Sequence, residues 1–141
     1  MGKVKVAEEF SRAVLNKAGE NIHKIIVFGS VAKGLANENS DIDVLVVVSD
    51  LNEDVRKVLS EAAFEIGLRT GESIEYITMD VEEYVRRGLG DPLMHEVETH
   101  GKIIHFNPSL EAERAKNRLK LPPMEKSTQI SRLSTQELSA R

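Results

Sequence analysis

Two strongly apolar segments joined by a short polar one constrain the fold of this chain more than any other feature. They lie in IIVFGSVAKGLANENSDIDVLVVV, residues 25–48, and each has the length and β-branched content of a buried strand. The second segment begins with Asp41 and Asp43, which places two carboxylates at the head of a very hydrophobic strand. Unpaired carboxylates are costly to bury, so this pair calls for a counter-charge that the neighbouring residues do not supply.

Composition indicates one soluble globular domain. The chain has 141 residues, 40% of them hydrophobic and 30% charged, which is enough for a single core. The absence of cysteine excludes a disulfide framework and a thiolate zinc site, and it fits a reducing cytoplasm. Charges interrupt every apolar run near the N-terminus, which predicts neither a signal peptide nor a membrane span. The net charge of −4 argues against nucleic acid as a direct ligand.

Hydrophobic periodicity predicts alternating helices and strands over residues 1–106. We expect a first amphipathic helix over residues 4–18 and four strands, at residues 23–28, 42–48, 73–79 and 102–106. The later helices are predicted from N-terminal capping residues Asp50, Asp80 and Asp91 and from C-terminal glycines Gly71, Gly88 and Gly101. Residues 107–141 are interpreted as a C-terminal helix followed by a polar, proline-interrupted tail.

The glycine-containing segment does not match the common phosphate and metal motifs. Gly29 and Gly34 have the spacing of a P-loop, but apolar residues stand where that motif needs Lys and Ser or Thr. The chain has no G-x-G-x-x-G fingerprint of a dinucleotide site. An EF-hand loop beginning at Asp41 would need an oxygen ligand at Leu45, so this assignment also fails.

The paired aspartates have the geometry of a site for a divalent cation. Side chains two residues apart on a strand point to the same face, so Asp41 and Asp43 can share one metal ion. Magnesium is typically held by one or two protein carboxylates, with phosphates and waters completing its coordination. A third carboxylate is expected from Glu75, an acidic residue inside the β-favouring run SIEYITM; the alternative is that Glu75 only faces solvent.

The turn before the aspartates is suited to a triphosphate. Gly29 permits another group to approach the backbone closely, and Ser30 is predicted as the N-cap of a short helical turn, SVAKG, whose free N–H groups would face an anion. Lys33, one turn further, adds a positive charge to the nucleotide site in this interpretation. A solvated surface lysine is an equally good interpretation of Lys33.

Together, the residues GSVAKGLANENSDIDVLV resemble the signature of the DNA polymerase β-type nucleotidyltransferases, a G-S turn followed at a set distance by D-x-D between apolar strands. Ten residues separate Ser30 from Asp41, which is similar to the minimal nucleotidyltransferases found as antitoxins beside HEPN toxins. The resemblance covers roughly residues 3–106. It implies an α/β (α+β) domain with a mixed sheet of about four strands flanked by helices, two Mg²⁺ ions, and transfer of a nucleoside monophosphate from an NTP. By the same resemblance, Gly29 and Ser30 match the triphosphate-binding turn, Asp41 and Asp43 the metal ligands, and Glu75 the third acid.

The resemblance also implies a mechanism and a partner. An acceptor hydroxyl would attack the α-phosphorus in line, pyrophosphate would leave, and Glu75 would be a metal ligand or the general base. Larger relatives append a helical domain for which this chain has no room, so we expect a partner protein to supply that surface: a HEPN-type toxin that receives AMP from ATP on a tyrosine. The alternative is a non-catalytic antitoxin or adaptor of the same fold. The intact set of mutually repelling carboxylates favours the enzyme.

Overall fold

A mixed four-stranded β-sheet with helices on both faces makes up residues 2–88 and 90–108, the part of the chain described by this computed structural model. The strands are β1 (Ile22–Phe28), β2 (Ile42–Val48), β3 (Ile74–Asp80) and β4 (Lys102–Phe106). Their order in the sheet is β3-β2-β1-β4, with β2 and β3 parallel and the other two pairs antiparallel. This architecture confirms the predicted fold class.

Five helices connect or cover the strands in the described residues. They are α1 (Lys3–Ala18), α2 (Gly29–Lys33), α3 (Glu53–Thr70), α4 (Val81–Arg87) and α5 (Pro92–His100). A single 3₁₀ turn, Gly19–Asn21, leads from α1 into β1. In chain order, the short helix α2 lies between the apolar strands β1 and β2.

The sheet is covered on both faces, which explains why its central strands are apolar without alternation. One face packs against α1, α2 and α3, around Phe10, Val44 and Leu59. The other face packs against α4 and α5, around Leu45 and Met94. In β2 every residue except Asp43 is buried, so this carboxylate is the one polar interruption of the central strand.

The predicted helix starts are confirmed at two positions and wrong at a third. The side chains of Asp80 and Asp91 accept backbone hydrogen bonds at the starts of α4 and α5. The capping box predicted from Asp50 is not formed, because Asn52 is the N-cap of α3 and its side chain accepts from Val55 N at 2.9 Å. Asp50 and Asn52 both have side-chain acceptors suited to capping, and the path of the loop determines which of them caps the helix.

The described residues belong to a compact unit that ends at Pro108. From residue 109 onward, the predicted C-terminal helix and polar tail lie outside the described residues. Among the helices of residues 2–88 and 90–108, none combines the length and the apolar composition that crossing a membrane requires.

Candidate active site

The turn from β1 into α2 lies directly against the head of β2. Phe28, the last residue of β1, is the register partner of Asp43 in the antiparallel β1–β2 pair. Gly29 follows with a φ of 72°, in the left-handed region that favours glycine. A Cβ placed on Gly29 would overlap Asp43 Oδ2 and stand 3.1 Å from its Cγ. The close approach predicted at Gly29 is therefore made, within the protein, to the Asp43 carboxylate.

Ser30 is placed differently from the prediction for it. The helix α2 begins one residue earlier, and its N-cap is Phe28, which makes no side-chain capping bond. Ser30 is therefore not the N-cap; it lies in the first turn of α2, where its backbone carbonyl accepts from Leu35 N at 2.9 Å. Ser30 nevertheless lies beside Gly29 in the turn that faces β2, as the sequence predicts.

Three predicted carboxylates lie near the amino ends of β2 and β3. Asp43 is the register partner of Glu75 across the parallel pair, and directly paired residues present their side chains on the same face of a sheet. Asp41 lies two residues before Asp43, just ahead of β2. Asp43 is half-buried, whereas Asp41 and Glu75 are exposed. The structure thus pairs Asp43 with Glu75 in register and places Asp41 at the same end of the sheet.

The electrostatic environment of this group is strongly negative. Burial raises the pKa of the Asp43 carboxyl above its ordinary value, and the charges of Glu75, Asp41 and Glu96 raise it further. None of the described ion pairs includes Asp41, Asp43 or Glu75. A cation placed there would relieve the repulsion that disfavours ionised Asp43.

The carboxylates of Asp41, Asp43 and Glu75 fit a hard cation in their chemistry but not in their present arrangement. Carboxylate oxygens are the ligands that Mg²⁺ prefers, and one or two of them are enough when substrate phosphates and waters complete the coordination. Within the described residues, however, no three carboxylate or imidazole side chains are already close enough to hold a metal ion together. Three metal ligands at Asp41, Asp43 and Glu75 therefore remain a prediction that requires these side chains to move together around the ion.

Lys33 is held in place by a residue that the sequence analysis missed. Its Nζ lies 3.1 Å from Glu96 Oε2, and the two side chains are 33% and 29% exposed. Glu96 projects from α5, a helix that is distant in sequence from α2. The sequence contains no signal for this pair, because acidic residues on short amphipathic helices are common and only the tertiary packing brings α5 beside α2.

The loop between α2 and β2 is fixed by polar contacts that also set the position of Asp41. Asn37 N donates to Ser40 Oγ at 3.0 Å, and Asn39 N donates to Asn37 Oδ1 at 2.8 Å. Lys3 Nζ donates to Ser40 O at 3.0 Å and pairs with Glu72, which precedes β3. Through these contacts Asn37, Asn39 and Ser40 stabilise the turn. Lys3 thus connects α1 with the segments that precede β2 and β3.

A large open cleft in the described part of the chain lies away from these carboxylates. It has a volume of about 750 Å³ and is lined by residues from the end of α1 and the start of α3, including Asn21 and Asn52. These residues flank the carboxyl end of β2, whereas Asp41 and Asp43 are at its amino end. The position of this cleft therefore does not indicate the candidate active site. The site is indicated instead by the carboxylates and by the turn at Gly29.

Comparison with known proteins identifies relatives by sequence and by fold. The model of the family described as "Nucleotidyltransferase domain" matches residues 6–101. The chain is 33% identical over 103 residues to a proposed protein adenylyltransferase of Methanocaldococcus jannaschii, and the match covers 71% of this chain and 69% of that protein.

Solved structures that share the fold include two toxin–antitoxin chains. A chain of a toxin–antitoxin crystallised with AMP-PNP has a TM-score of 0.52 at 23% identity, covering 79% of this chain and 84% of that one. A chain of a mutant form of the toxin–antitoxin MntA–HpeT has a TM-score of 0.51 at 21% identity, covering 79% and 83%. At these identities the likeness concerns the arrangement of helices and strands.

Proposed function

The chain belongs to the nucleotidyltransferase domain family, and from this premise we propose that it is a protein adenylyltransferase that transfers AMP from ATP to a hydroxyl group of a partner protein. The observation that carries the proposal is the half-buried Asp43 carboxylate, packed against Gly29 and paired in register with Glu75. A binding module without chemistry has no use for a carboxylate at the head of a buried strand whose pKa is raised by burial and by its acidic neighbours.

Each predicted site residue has a role in this proposal. The turn at Gly29 and Ser30 receives the triphosphate, since it lies directly against Asp43 and Gly29 has no Cβ at that contact. Lys33, on the same face of α2 as Gly29, supplies a positive charge to the phosphates. Asp41 and Asp43 are the ligands of Mg²⁺, for which we propose two ions, with Glu75 as a third ligand or as the general base.

The chemistry can be assigned to atoms of this chain. Bound Mg²⁺ supplies charge neutralisation on the phosphates and activation of the attacking hydroxyl. The acceptor oxygen forms a bond to the α-phosphorus, the bond to the pyrophosphate oxygen breaks, and Glu75 takes the hydroxyl proton. Glu75 is suited to that step because it is exposed on β3, an edge strand that an acceptor can reach from solvent.

For the acceptor we propose a HEPN-type toxin, modified on a tyrosine in the cytoplasm. The proposal is supported by the sequence relative named for protein adenylylation and by the toxin–antitoxin chains that share the fold. In this proposal, the protein acts as an antitoxin because the AMP that it attaches to the tyrosine silences the toxin.

Transfer of label tests the function directly. The protein is mixed with Mg²⁺, ATP labelled at the α-phosphate and a candidate HEPN protein; we expect label on the partner, and none with Asp41→Asn/Asp43→Asn. Mass spectrometry of the partner should show AMP on tyrosine.

Within residues 2–88 and 90–108 the potential metal ligands are not preassembled as a group of three, and this observation favours one competing function, a non-catalytic antitoxin or adaptor. That alternative is correct if a HEPN partner stays unlabelled with every NTP and is nevertheless neutralised in a stable complex. The variant Asp41→Asn/Asp43→Asn would then neutralise the partner as well as the wild type does.

A further inference from the structure

The ion pair between Lys33 and Glu96 stands out among the charged contacts of the described residues because it borders the carboxylate group. The Lys33 and Glu96 side chains are each about two-thirds covered. Glu96 Oε2 is buried and makes no hydrogen bond of acceptable geometry within the described residues, so the charge of Lys33 at 3.1 Å is its compensation. The other oxygen of this carboxylate, Oε1, lies 3.8 Å from His100 Nδ1, so Oε2 depends on Lys33.

Lys33, with Glu96 of α5 paired to it, lies on the side of α2 that faces the proposed site. Gly29 and Lys33 are four residues apart in α2 and therefore share one face of the helix. Gly29 on that face touches Asp43, and the charge of Glu96 is felt at Asp43 as well. Lys33, Glu96 and Asp43 thus converge on one region, although they come from three different elements.

The helix that carries Glu96 is itself firmly placed. Met94 and Val97 are buried against the sheet, and Asp91 caps the start of α5 by accepting from two backbone N–H groups. Arg87 from the end of α4 pairs with Asp91 at 3.1 Å. Glu96 is consequently presented from a rigid support, while Lys33 has a long, flexible stem.

We propose that Glu96 is a positioning residue for nucleotide binding: it holds the ammonium group of Lys33 beside α2, where that group contacts the triphosphate. This inference rests on the proposed function of the same site. A lysine ammonium has three N–H donors, so one can stay on Glu96 while the others bind phosphate oxygens. Fixing the side chain before binding removes rotamer entropy that the nucleotide would otherwise have to offset.

A double-mutant cycle on nucleotide affinity tests whether Glu96 acts through Lys33. The probe is AMP-PNP with Mg²⁺, titrated by calorimetry into wild type, Glu96→Gln, Lys33→Met and the double variant. We expect Glu96→Gln to weaken binding by about three- to fivefold, as for a modest ion pair. In the Lys33→Met background the same substitution should have no further effect.

Kinetics and a matched control separate positioning from a general loss of structure. When a HEPN partner is the acceptor and ATP carries the label at its α-phosphate, Glu96→Gln should raise the KM for ATP and leave kcat close to that of the wild type. Glu98→Gln is the control, because it removes the same charge from the same helix at a residue that contacts Tyr84 and not Lys33. It should bind AMP-PNP as the wild type does.

The possible failures are distinguishable. Equal effects of Glu96→Gln with and without Lys33 would overturn the positioning role, and so would tighter binding by Glu96→Gln. Either result would leave the proposed function intact, since the wild type would still bind the nucleotide. A wild-type protein that binds no AMP-PNP with Mg²⁺ would overturn the proposed function and this inference together.

Discussion

At the scale of single residues, Asp43 connects the stability of the fold with the proposed chemistry. Its pKa is raised first by burial and then by three neighbouring carboxylates. A carboxyl whose pKa is higher in the folded chain costs stability when ionised, because the unfolded chain releases the proton more readily. This cost is complete above the raised pKa and vanishes below the unfolded value of about 3.9.

We therefore expect Asp43→Asn to raise the melting temperature near pH 7 when divalent cations are removed with EDTA. The gain should shrink as the pH is lowered, because Asp43 of the wild type becomes protonated and loses its charge. Melting curves followed by circular dichroism at several pH values measure this difference. Glu61→Gln, which removes one charge at an exposed position of α3, is the control and should show no such pH dependence. An Asp43→Asn protein that melts below the wild type at pH 7 would contradict the electrostatic account.

The residues of the candidate site were predictable to different degrees. Asp41, Asp43 and Gly29 were recognisable because strand periodicity and glycine chemistry are local properties that the sequence displays. The pairing of Glu75 with Asp43 depended on which strands are neighbours, which the sequence suggested and only the sheet register established. Glu96 could not be found, because its contact with Lys33 arises from the packing of α5 against α2.

At the scale of elements, the helix starts show where local chemistry decides and where the chain path does. Asp80 and Asp91 cap α4 and α5 as predicted, since each immediately precedes a short helix without a competing acceptor. Before α3 the chain offers both Asp50 and Asn52. Asp50 N donates to Asn21 Oδ1 at 2.8 Å, so Asp50 is held in a contact between two loops. Asn52 is therefore the residue that caps the helix.

Substitutions at these two positions should differ in their effect on stability. We expect Asn52→Ala to lower the free energy of unfolding by about 1 kcal/mol, the usual contribution of an N-cap. Asp50→Ala should cost less than about 0.5 kcal/mol, because Asp50 is exposed and its backbone contact survives the change. Urea denaturation with a common slope measures both values. The assignment of the cap fails if the two variants lose equal stability, or if Asn52→Ser, which retains a capping acceptor without placing a second charge beside Asp50, is as unstable as Asn52→Ala.

At the scale of the whole molecule, the described core clusters and the proposed ligands both lie in the unit that ends at Pro108. Every buried apolar residue of the two core clusters lies between Val6 and Val97. The last strand is closed by Asn107, whose backbone N donates to His23 O at 2.8 Å. The proposed nucleotide and metal ligands lie between Gly29 and Glu75, so they require the sheet and α2 but no residue beyond this unit.

A chain shortened to residues 1–108 should therefore unfold cooperatively, melt close to the full chain and bind AMP-PNP with Mg²⁺. A chain shortened to residues 1–101 is the control, because it lacks β4 and leaves the edge of β1 unpaired. We expect that chain to be strongly destabilised, since His23 and Ile26 lose their cover and β1 loses a row of backbone hydrogen bonds. Thermal melts and calorimetric titration of both chains measure these differences. Loss of folding or of nucleotide binding in the 1–108 chain would show that residues after Pro108 contribute to the core or to the site, and the domain boundary proposed from the sequence would have to be moved.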